Sequence, residues 1–79
     1  MHNSSNNRFS VEVTSVPDRD ALVAEMWLER ELFAELRYEH RSLRLQFYPA
    51  PDGKPWDVPY EEFAGMLEQA REKLGAPRD

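Results

Sequence analysis

The chain has 79 residues, 15 acidic against 10 basic side chains for a net charge of −5, and no cysteine. That length is one domain, whose core supports roughly 3–5 kcal/mol of net stability, and the missing thiols exclude disulfides and cysteine chemistry. The acidic balance argues against non-specific binding to nucleic acid or anionic membrane, and no apolar run approaches the roughly 20 residues that span a bilayer.

Residues 1–8, MHNSSNNR, lack an apolar signal-peptide core and read as a solvated, disordered tail. With no cysteine to protect, a cytoplasmic location is expected. Phe9 to Val16 alternates cleanly: Phe9, Val11 and Val13 fall on one face, Ser10, Glu12 and Thr14 on the other. This predicts a half-buried strand. Pro17 to Asp20 carries turn chemistry.

Residues 21–41 support two readings. The run is rich in helix formers and has no glycine or proline, which suits a helix. Against it, Leu22, Ala24, Met26 and Leu28 alternate, as do Leu32, Ala34, Leu36 and Tyr38, whereas the best helical stripe has Glu29 at its centre. The alternation favours a hairpin turning near Glu29–Glu31, although the turn lacks glycine or asparagine. Ser42 to Pro49 alternates again, with Leu43, Leu45 and Phe47 on one face.

Pro51 to Gly53 is a strong turn signal. From Pro59 the period becomes helical, with Phe63, Leu67, Ala70 and Leu74 on one stripe and Met66 beside it. Gly75 is placed as the C-cap, Pro77 ends any continuation, and 76–79 form a short tail. The expected fold is therefore α+β: a four-stranded antiparallel β-meander in the order 1-2-3-4, with one C-terminal α-helix packed on one face, in a single domain over 9–75.

The segment from Pro51 to Phe63 supports a structural and a functional reading. In the first, Asp57 or a neighbour caps the helix, Pro59 sits in its first turn, Glu61 and Glu62 favour its positive end, and Trp56 and Val58 plug the open end of the sandwich. In the second, Lys54, Trp56 and Asp57 form a recognition loop stiffened by proline. The structural reading is favoured because every residue has a local reason to be there. Gly65, within the helix, is expected to mark a close approach to the sheet.

One register satisfies three hairpins. It pairs Val11 with Met26, Val13 with Ala24, Met26 with Ala34, Ala24 with Leu36, Leu28 with Leu32, Leu36 with Leu45 and, across a loop at Glu39 to Ser42, Tyr38 with Leu43. The same register sets Trp27, Phe33 and Tyr48 as an aromatic strip on the face the helix leaves open. Glu12, Glu25 and Glu35 stand abreast there, with Arg37 and Arg44 alongside. Like charges opposite one another destabilise a sheet, so the acids either pair diagonally with the arginines on a solvated face or rim a protein-binding strip. A metal or acid–base site is the least favoured, because an open face offers no cleft to split two pKa values.

His2 and His40 are far apart in sequence, and no phosphate loop, dinucleotide loop or nucleophile elbow is present. No enzyme, metal or cofactor is expected. The segments Val23 to Trp27 (VAEMW) and Pro49 to Trp56 (PAPDGKPW), with the helix after Pro59, resemble a group of small bacterial single-domain proteins over about Val11 to Leu74. The chain departs from that group at Glu29–Arg30, where an Asp-Gly turn is usual. The group brings no catalytic residue with it, and in style it is similar to immunity proteins that neutralise toxins. The expected function is a non-enzymatic protein-interaction module that binds through Trp27, Phe33, Tyr48, Glu25, Glu35, Arg37 and Arg44. The alternatives are a homodimer that buries this strip and an immunity-like inhibitor of a basic toxin.

Overall fold

The structure, a computed structural model, describes residues 8–16 and 21–77. The tail before Arg8, the turn at Pro17–Asp20 and the last two residues lie outside the described residues. Four strands, β1 (Phe9–Val16), β2 (Ala21–Leu28), β3 (Glu31–Glu39) and β4 (Ser42–Phe47), form one antiparallel sheet in the order β1-β2-β3-β4, and α1 (Tyr60–Leu74) packs on one face. Residues 21–41 are thus a hairpin, not a helix. The apolar alternation prevails over helix propensity because it gives two strands one common buried face.

The ladder pairs Val11 with Met26, Val13 with Ala24, Ala24 with Leu36, Met26 with Ala34, Leu36 with Leu45 and Tyr38 with Leu43, all as expected. Leu28 is the exception. The β2–β3 loop is only Glu29 and Arg30, so Leu28 lies opposite Glu31 and Trp27 opposite Leu32. Keeping Met26 against Ala34 then needs one extra residue on β3, and the ladder slips between Met26 and Trp27 to supply it. The extra residue is Phe33. A bulge of this kind re-aims a side chain, and it turns Phe33 into the core beside Met26 and Ala34.

The two described hairpin loops, β2–β3 and β3–β4, do without glycine or asparagine. Glu29 is left-handed in the first (φ 57°), and His40 and Arg41 are both left-handed in the second (φ 54° and 69°). The second loop is shorter than expected, because Glu39 and Ser42 themselves pair.

Phe33 is 2 % exposed and is the hub of the core. Its ring meets Phe9 at 6.0 Å, Phe47 at 5.6 Å, Trp56 at 4.8 Å and Phe63 at 5.7 Å, each edge-on. Edge-to-face contacts of this kind add about 0.5–1.5 kcal/mol per pair beyond the area they bury. Met66, Ala70 and Leu74 of α1 are buried, with Phe63 and Leu67 half-buried beside them. Trp56 and Val58 close the end of the sandwich as expected, and the Trp56 Nε1–H donates to the Tyr48 carbonyl at 2.7 Å.

The helix start differs from expectation. Pro59 is the N-cap residue, and no side chain caps the helix. Its extended backbone (φ −64°, ψ 135°) leads in, and its carbonyl accepts the first helical bond from Phe63 N–H at 3.1 Å. Glu61 and Glu62 occupy the first turn, and Gly75 is the C-cap (φ 76°), donating to Arg71 O.

Gly65 is not a point of close approach. It is exposed, and a Cβ built there meets nothing within 4 Å. It therefore costs helix propensity with no packing gain. Gly65→Ala is expected to raise stability by about 1 kcal/mol, read as a higher urea midpoint at unchanged slope.

Candidate functional site

The register assigns the face that α1 does not cover. Ser10 lies opposite Trp27; Glu12, Glu25, Glu35 and Gln46 form one row, and Thr14, Val23, Arg37 and Arg44 the next. The acidic row is therefore present as expected. The aromatic strip is not, because Phe33 lies on the helix side of the sheet. The bulge seats Leu32, not Phe33, opposite Trp27. Tyr48 still reaches the open face, while its N–H donates to the Phe33 carbonyl at 3.0 Å.

This face is tied together rather than open. Glu35 is buried, at 8 % exposure. Its Oε1 accepts from the Tyr48 hydroxyl at 2.8 Å, and its Oε2 accepts from Arg37 Nη1 at 3.1 Å. Arg37 Nη1 also donates to Gln46 Oε1 at 3.0 Å. Arg44 pairs with Glu39 at 3.9 Å, not with the acidic row, and Arg37 Nη2 reaches Glu39 at the same distance. The acids thus use one of the two arginines expected of them. Val23 is 1 % exposed. Trp27 is half-buried, and its Nε1–H is buried without an acceptor among the described residues, which leaves no indole donor at the surface for a partner.

The Tyr48 hydroxyl is pushed above its usual pKa, first by its hydrogen bond to Glu35, then by burial and the nearby charges of Glu35 and Glu25, against a lowering by Arg37. The folded state therefore holds this proton more tightly than the unfolded chain does. The resulting stabilisation is complete below the unfolded value of about 10 and is lost as pH rises through the folded value. Tyr48→Phe is expected to cost about 1 kcal/mol at pH 8, and the gap to wild type should narrow above pH 10. Urea unfolding of both proteins across that range checks the sign.

The apolar surface that remains open lies on the other face, along β4. Leu43, Leu45 and Phe47 point to the helix side, opposite Tyr38, Leu36 and Ala34, yet they are 39 %, 38 % and 52 % exposed. Four strands span about 19 Å and one helix with its side chains about 10 Å. Lying on β1 and β2 with its edge over β3, α1 cannot also roof β4. Phe63 reaches across, to Phe47 at 6.2 Å. Tyr60, one turn before Phe63 and Ala64, is 81 % exposed on the flank of α1. These β4 side chains alternate as expected; their exposure was missed. The available signal was a single helix set against four strands.

Lys54 and Asp57 are exposed, while Trp56 is half-buried against the core, so the linker between β4 and α1 packs on the sandwich more than it presents a loop. Among the described residues, no group of three His, Asp or Glu side chains is placed to hold a metal ion, and no helix is long and apolar enough to cross a membrane. The chain matches no family model, no curated protein and no solved structure.

Proposed function

We propose that this chain is a non-enzymatic protein-interaction module of the cytoplasm whose contact surface is strand β4 with its uncovered row Leu43, Leu45 and Phe47. The observation that supports it is the exposure of that row on an edge strand, where apolar side chains and unpaired backbone groups meet at one border. Phe33 serves the core, and Glu35 is committed to Tyr48 and Arg37, so neither meets a partner. Trp27 and Glu25 lie on the back of the sheet, where Arg37 and Tyr48 tie β3 to β4. Arg44, paired with Glu39 and with its side chain 63 % exposed, stands at the border.

A photo-crosslinking side chain placed at position 45 in cells tests this, with position 12 on the opposite edge and face as control. The expected result is a discrete adduct with one protein at 45 and none at 12. Equal labelling at both positions, or no adduct at 45, overturns the assignment.

A further inference from the structure

Resting on that reading of β4, we propose that the occupant of the edge is a second copy of this chain, joined by antiparallel β4–β4 pairing into a continuous eight-stranded sheet. A twofold axis normal to the sheet keeps both helices on one side and requires that β4 be complementary to itself.

The backbone is set for this pairing. Tyr48 N–H points inward to Phe33 O, and N–H directions alternate along a strand. Gln46, Arg44 and Ser42 therefore point inward as well, and Leu43, Leu45 and Phe47 present N–H and C=O outward. Among the described residues no strand lies beyond β4.

The side chains choose one register. With Leu45 opposite Leu45 of the second copy, Leu43 meets Phe47, Arg44 meets Gln46 and Ser42 meets Tyr48. All six apolar side chains then share one face, and no like charges stand opposite each other. One step in one direction sets Arg44 against Arg44, which is destabilising. One step in the other sets Leu43 against Pro49, which has no N–H to give the ladder. The favoured register also carries Arg41, at the tip of one hairpin, alongside Pro49 of the other copy. Pro49 then closes the pairing at the end where the strand stops.

A single cysteine is a clean reporter, because the chain has none of its own. Directly opposite residues in a hydrogen-bonded pair have Cα atoms about 5.5 Å apart, within disulfide reach. Sedimentation equilibrium of the wild type should show a monomer–dimer equilibrium. Under mild oxidation Leu45→Cys should form a covalent dimer. Leu43→Cys and Phe47→Cys should not do so alone but should crosslink when mixed. Leu45→Lys should keep its fold, since the position is exposed, and weaken dimerisation by about tenfold or more.

A wild type that stays monomeric to millimolar concentration overturns the proposal, as does a dimer in which the Leu43→Cys variant crosslinks by itself. A monomer that nevertheless gives a position-45 adduct with a different protein refutes the second copy while leaving the interaction reading standing. No adduct and no dimer refutes both.

Discussion

Phe33→Ala should unfold the domain at room temperature. The ring is nearly inaccessible to solvent and touches aromatic side chains from β1, β4, the linker and α1. Truncating a buried phenylalanine costs about 3–5 kcal/mol, and a chain of this size holds roughly that much in total. Phe33→Leu keeps most of the volume and should cost less than about 1.5 kcal/mol beyond the lost ring contacts, leaving a folded, weakened protein. Far-ultraviolet circular dichroism with a urea titration separates the two. A folded Phe33→Ala variant of near wild-type midpoint would place this ring outside the core and restore an exposed aromatic strip.

The second large effect belongs to Glu35. Glu35→Ala removes the acceptor of the Tyr48 hydroxyl and the closest counter-ion of the largely buried Arg37. The loss is expected to be about 2–3 kcal/mol, because groups left short of a partner keep their desolvation cost. Its neighbour in the same row should behave in the opposite way. Glu25 stands between Glu12 and Glu35, so Glu25→Ala relieves two like-charge contacts and should be neutral or stabilising. Urea midpoints of the two variants, measured side by side, test whether the row is one patch or one committed acid beside two spectators. Equal effects would contradict the network.

Much of the architecture was legible because the alternation is strict. Leu22, Ala24 and Met26 must share a face with Leu36 and Ala34, and that alone sets most of the ladder. The bulge was harder to see. Two apolar neighbours, Leu32 and Phe33, cannot both keep the alternation, and continuing it through Leu32 looked simplest. A two-residue loop at Glu29–Arg30 demands the other solution, and nothing in those two side chains announces so short a turn. The candidate surface moved for the same reason. Once Phe33 turns inward, the open face loses its central aromatic ring, and Tyr48 becomes a donor to Glu35 instead of an anchor. The exposure of Leu43, Leu45 and Phe47 depends on where one helix lies across four strands, and strand periodicity does not contain that information. Gly65 misled in a different way: a glycine inside a helix invites a packing reason, and here the space above it is empty.

On the proposed reading, contact is made along β4 and not across the Trp27–Tyr48 face. A dilution series followed by heteronuclear NMR tests it most directly. The amides of Leu43, Leu45 and Phe47 should shift together between micromolar and millimolar protein, with slowed hydrogen exchange at the concentrated end, while the Trp27 indole and Glu35 signals hold still. Shifts confined to Trp27, Glu25 and Tyr48, with the β4 amides unmoved, would place the contact on the opposite face and overturn the assignment to β4.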